Sequence, residues 1–263
     1  MDAERLLPAD AVRPVWSSAG ALVYIGGFVM LIAGVALLGI ASEDRGDWAL
    51  LAAALGATAA ALALDVALEG AERAIAAGVA ATLGVVFAGV VVGALLNVVG
   101  VLDADVGDYQ PAALVVEAAL VAAAVVAVRR FRAPLPVLVA ALTFWFAVAD
   151  LGSLVEWSDA EELLSIAAGV VLAAAGVVVD RAGREPFGFW LHTVGALAAG
   201  GGLAVLAGDS AWALTGLVAL GFVAAAFALG RSSYAVLGAV GILLATTLFA
   251  VEPVSVVGGF VPF

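Results

Sequence analysis

Four ionisable side chains stand inside otherwise apolar stretches of this 263-residue chain: Asp65, Glu117, Asp150 and His192. An ionisable group at membrane depth costs about 2.5–3.5 kcal/mol on insertion scales and is read first as functional. Glu117 is the leading candidate. Twelve residues separate it from Arg129, about 18 Å along a helix, and the opposite surface is expected some turns away. A carboxyl in apolar surroundings can hold a proton at neutral pH and release it when those surroundings change, which is what proton-coupled movement requires. Asp150 follows near the outer end of the next apolar run. Asp65 and His192 each lie about 12 Å along their runs from an arginine, Arg73 and Arg184 respectively. The amide of Asn97 continues the stripe Gly89-x-x-x-Gly93 by four residues, and Asn97 and Asp150 are the expected partners of Glu117. Each residue also has a purely structural reading: Glu117 bonded to a neighbouring backbone or hydroxyl group, His192 satisfied beside Trp190, Asp65 and Asp150 reaching for headgroups.

Other chemistries are excluded by composition. There is no Cys, so disulfides, thiolate zinc sites and iron–sulfur clusters are out. A single His rules out a polyhistidine metal centre within one chain, and one His with two Met gives little for haem ligation. All ten basic residues are Arg; without Lys a retinal Schiff base cannot form. No Walker A loop, HExxH helix or Gly-x-Ser-x-Gly elbow occurs, and Ser17-Ser18 and Ser232-Ser233 have no His nearby. The chain is expected to have no catalytic, cofactor-binding or metal-binding residues. It has no basic patch for nucleic acid, and the net charge of −12 arises from short acidic clusters between apolar runs.

Those runs are the elements that must position the polar groups. Hydrophobic residues make up 65% of the chain and the mean hydropathy is +1.21, beyond the roughly 45–50% apolar content of soluble domains. A spanning helix needs about 20 apolar residues. Candidates fall at 17–40, 48–68, 74–102, 112–128, 133–154, 163–179, 187–207, 211–229 and 232–250. None alternates in polarity as barrel strands do. The expectation is an all-α polytopic transmembrane bundle of about nine spans. It has a short cytoplasmic or interfacial segment at 1–16, one helical domain at 17–250 and an apolar tail at 251–263 on the outer face. The charged start, with Asp2, Glu4, Arg5, Pro8 and Asp10, does not read as a cleaved signal.

Arginine distribution sets the orientation. With nine spans and the N-terminus inside, Arg5, Arg13, Arg73, Arg129, Arg130, Arg132, Arg181, Arg184 and Arg231 are cytoplasmic and only Arg45 is outside. The C-terminus is then outside, in a cell membrane. Trp48, Tyr109, Trp157 and Trp212 mark the outer interface, and Trp16, Trp190 and Tyr234 the inner one. Trp145, in Phe144-Trp145-Phe146, stands at mid-depth.

The odd-numbered spans start at steps of 57, 59, 54 and 45 residues, and Arg13 and Arg231 are each followed at the same distance by Gly-Ala (Gly20-Ala21, Gly238-Ala239). This predicts repeated two-helix hairpins with one extra helix. The Gly89/Gly93 face serves either packing within the chain or a homo- or hetero-oligomer. Gly200-Gly201-Gly202 is either a hinge or a close-packing patch. With Trp-Ser-Ser-Ala-Gly-Ala-Leu-Val-Tyr-Ile-Gly-Gly at 16–27 and arginine-capped inner turns, the layout resembles bacterial and archaeal multipass membrane proteins. That resemblance implies residence in a lipid bilayer and transfers no site residues. Two functions remain open: a transporter or permease acting through the intramembrane polar groups, and a non-transporting scaffold, sensor or assembly partner.

Overall fold

An apolar chain in lipid can satisfy its peptide groups locally only as α-helix. The computed structural model describes residues 18–43, 45–70, 74–101, 112–153, 159–230 and 232–258. Among these the regular structure is helical, with no strand. The helices are α1 (Ser18–Glu43), α2 (Asp47–Gly70), α3 (Ala74–Val98), α4 (Ala113–Phe131), α5 (Leu135–Ser153), α6 (Ala160–Arg181), α7 (Glu185–Ala207), α8 (Ala211–Leu229) and α9 (Ser232–Gly258). One helix occupies each apolar run. The ends differ: α9 continues to Gly258, into the stretch expected as a tail, and α3 stops at Val98. Residues 1–17 and 259–263 lie outside the described residues, as does Tyr109.

Two turns explain how tightly the helices reverse. Gly183 adopts φ 72° between α6 and α7, a conformation open to glycine at no steric cost. Arg132 adopts φ 51° after α4, and its N–H bonds the Val128 carbonyl at 3.0 Å. Pro134 follows and cannot continue the helix.

Among the described residues, six helices contain a segment long and apolar enough to cross a membrane: Asp47–Glu69, Ile75–Val98, Leu135–Gly152, Ala160–Arg181, Pro186–Ala207 and Ala211–Ala228. The described apolar segments of α1 and α9 are Ile25–Ile40 and Tyr234–Thr247. The 19 residues of α4 include Glu117, Arg129 and Arg130. Packing is inverted relative to a water-soluble protein. Small side chains fill the interior, with Ala54, Ala124 and Ala198 fully buried, while Leu217 and Phe227 are each 67% exposed. In water, large apolar side chains drive the core and are the ones buried. In lipid they lose nothing outside, and helices associate through close approach of small residues.

The chain forms two compact units, Trp16–Asp150 and Leu151–Phe263. In the first, α2 packs along α3, and α3 also meets α4 and α1. Gly27 accommodates Val79, and Gly34 accommodates Phe87, whose ring stands 2.9 Å from where a Cβ would be. Gly89 receives Leu120 of α4, and Gly93 faces Val116. The Gly89/Gly93 face considered for an oligomer is therefore occupied by α4 of the same chain. Val85, Ala124 and Ala127 form a small core, joined by Val139 and Ala140 of α5.

In the second unit α6 packs on α7, and α8 on α9. Glycines recur every seven residues on both faces of the first pair: Gly169 and Gly176 on α6, Gly188, Gly195 and Gly202 on α7. A Cβ at Gly169 would stand 2.5 Å from the Ala199 amide nitrogen, and one at Gly202 2.6 Å from the Glu162 carbonyl oxygen. The helix runs unbroken through Gly200-Gly201-Gly202. Gly202 is thus a close-packing position and the triplet does not interrupt α7.

Candidate functional site

The best-formed polar constellation lies in the second unit and is built on that glycine seam. Four residues after Gly176 comes Asp180, and four residues after Gly188 comes His192. A spacing of four keeps each polar residue on the face of its glycine. The missing side chains make room: a Cβ at Gly176 would stand 2.7–2.9 Å from three atoms of the His192 ring, and one at Gly188 would collide with the Asp180 carboxyl. His192, 2% exposed, has its Nε2 3.0 Å from Oδ2 of Asp180 and its Nδ1 2.9 Å from the hydroxyl of Tyr234 on α9. The imidazole and phenol rings are 4.9 Å apart, and Phe222 of α8 stacks on Tyr234 at 6.0 Å.

Donor and acceptor roles follow from chemistry. An ionised carboxylate only accepts, so Nε2 donates its proton to Asp180. In the neutral ring Nδ1 then accepts, and the Tyr234 hydroxyl donates to it. The result is an ordered chain, Tyr234 to His192 to Asp180, with all three side chains buried. Sequence reasoning found His192 but not its partners. Asp180 sits at the last turn of α6, where an acid reads as a helix-end residue, and Tyr234 reads as an interfacial aromatic. The available signal was the shared glycine-plus-four spacing on two helices joined by a short turn.

The other candidates lie in the first unit. The carboxyl groups of Glu117 of α4 and Asp150 of α5 lie close enough to interact. The second oxygen of Glu117, Oε2, is buried with no hydrogen-bond partner. Glu117 stands twelve residues before Arg129 on α4. Because α4 begins at Ala113, Glu117 is about 6 Å, one turn, from the helix start. Asp150 is likewise within a turn of the end of α5 at Ser153. Asn97 does not join them; its amide donates to Oδ1 of Asp47 at 2.9 Å, clamping the end of α3 to the start of α2 on an exposed surface. Asp65 of α2 is fully buried, and neither of its carboxyl oxygens has a hydrogen-bond partner. One turn further on, Glu69 faces Arg130 of α4 at 3.9 Å.

Among the described residues no group of three His, Asp or Glu side chains is placed to hold a metal ion. Each unit also has a cavity of about 190 Å³. One lies between α1, α3 and α5, with Thr82 and Thr143 among otherwise apolar walls; the other lies between α7, α8 and α9, beside Gly200, Gly201 and Gly241. Comparison with protein families, with curated proteins and with solved structures finds no match to this chain.

Proposed function

We propose that this chain is a proton-linked permease of the cell membrane that crosses the bilayer nine times, with its N-terminus in the cytoplasm and its C-terminus outside. The observation that carries the reading is the Glu117–Asp150 pair: two acids on different helices, within apolar segments, whose carboxyl groups come together. Such a pair can take up or release one charge as its surroundings change. The arginine asymmetry supports the orientation. The close-packed pairs α2–α3, α6–α7 and α8–α9 support an origin in repeated hairpins, an arrangement common in carriers.

The test is proton flux in vesicles. Purified protein in liposomes loaded with a pH-sensitive dye should dissipate an imposed pH gradient faster than empty vesicles. Glu117→Gln should abolish the difference while leaving the helical circular-dichroism signal intact. Equal flux from wild type and Glu117→Gln would end the reading. A second reading, a non-transporting scaffold, is favoured by two other features. The Asp180–His192–Tyr234 chain is buried and fully bonded at the imidazole, as a structural tie would be. The two clefts are almost wholly apolar and offer no polar path.

A further inference from the structure

Among the described residues of the first unit, Asp65 is the buried carboxyl that nothing else in the fold accounts for. Its side chain is 0% exposed, and both oxygens lack a partner. An ionised carboxylate in that condition is among the costliest arrangements a protein interior can hold, whereas a neutral acid is far cheaper. Among the described residues, the charges that act on it are Glu69 on its own helix and Arg130 on α4, and these two face one another at 3.9 Å rather than bonding Asp65. Helix α3, packed along α2, contains no titratable side chain. Its one hydroxyl, Thr82, already donates to the Gly78 carbonyl at 2.7 Å. The described side chains of α1 include none that titrates either.

We propose that Asp65 is a proton-binding site, filled and emptied through the Glu69–Arg130 end of the first unit. The ligand class follows from what surrounds the carboxyl. A metal cation requires several oxygen ligands, and among the described residues no group of three His, Asp or Glu side chains is placed to hold one. A proton requires none. Access follows from position: Asp65 lies five residues from the end of α2 at Gly70, about 8 Å, and Glu69, about a third exposed, is a carboxyl one turn nearer the water. Loss of the proton leaves an unpaired carboxylate inside the packed helices, so exchange is coupled to opening of α2 from its neighbours. The permease reading supplies the role of this coupling but not its chemistry.

A hydrophobic carbodiimide tests the site directly. The reagent consumes a protonated carboxyl: the acid proton passes to a carbodiimide nitrogen, the carboxylate oxygen adds to the central carbon, and rearrangement to the N-acylurea leaves the whole reagent on the side chain. Protein in liposomes is treated across a pH series, with and without NaCl, and its peptides are weighed. In parallel, the infrared carboxylic-acid band of untreated protein is compared with that of Asp65→Asn, a neutral isostere expected to fold. The expected result is label on Asp65 that declines as pH rises, no protection by NaCl, and an acid band missing from Asp65→Asn. Protection by NaCl overturns the assignment to a proton. So does absence of both the label and the Asp65-dependent band. Neither readout measures flux, so a silent Glu117→Gln result in the transport assay leaves this outcome distinct.

Discussion

His192 shows how much a single side chain can be asked to do. It gives one hydrogen bond to Asp180 and takes one from Tyr234, and the two bonds differ in kind. The bond to the carboxylate is charge-assisted, worth about 1.5–3 kcal/mol, while the neutral phenol bond is worth nearer 1 kcal/mol. Within membranes measured side-chain bonds run smaller, averaging about 0.6 kcal/mol. Tyr234→Phe, which keeps the stack on Phe222, should therefore destabilise the protein by roughly 1 kcal/mol. His192→Phe removes both bonds and should destabilise it by about 2–3 kcal/mol. Unfolding in a graded denaturing detergent would rank them; an equal effect from both substitutions would show that the bond to Asp180 adds nothing to stability. His192 was legible in the sequence because it is the one imidazole in an apolar run. Its partners were not, because tertiary proximity of Asp180 and Tyr234, 54 residues apart in the sequence, leaves no local trace. Glu117 was legible for the same reason as His192, and the apolar run at 112–128 placed the start of α4 within one residue of Ala113.

At the scale of helices, the hydrophobic runs located all nine elements, since each run is long and uniform and lipid permits no other regular conformation. Which helices press together was less visible. The decisive positions are glycines, and this chain has 31 of them, so composition alone cannot distinguish a packing glycine from an idle one. Geometry does. Gly169 has backbone atoms of α7 2.5 Å from where a Cβ would stand, while Gly221 has nothing within 4 Å. Alanine favours a helix over glycine by about 1 kcal/mol. Gly221→Ala should thus raise the melting temperature slightly. Gly169→Ala should lower it, because overpacking costs about 1–3 kcal/mol and outweighs the propensity gain. Thermal unfolding of both variants in detergent checks the comparison, and a stabilised Gly169→Ala would show that α6 and α7 are not in backbone contact. Arg132 belongs to the unreadable part as well. Nothing in a run of arginines announces which of them takes φ 51°; that is decided by the reversal into Pro134 and α5.

For the molecule as a whole, alanine is the commonest buried apolar residue while many leucine, valine and phenylalanine side chains are exposed, as suits helices that belong in lipid. Orientation is the remaining global quantity. Reporter fusions should show the N-terminus facing the cytoplasm and the C-terminus the opposite compartment, because that arrangement puts nine of ten arginines inside. Both ends on one side would require an even number of crossings and would remove the arginine asymmetry.

The bond between His192 and Tyr234 joins residues 42 positions apart, the second of them on the last helix. Synthesis delivers the chain from its N-terminus, so the α6–α7 hairpin is assembled in the membrane while α9 is still inside the ribosome. Throughout that interval the Nδ1 lone pair of His192 waits without its donor. Arrival of Tyr234 closes it. A transcript cut short before that residue would yield a helical, membrane-inserted product that nevertheless carries an unanswered polar atom in lipid.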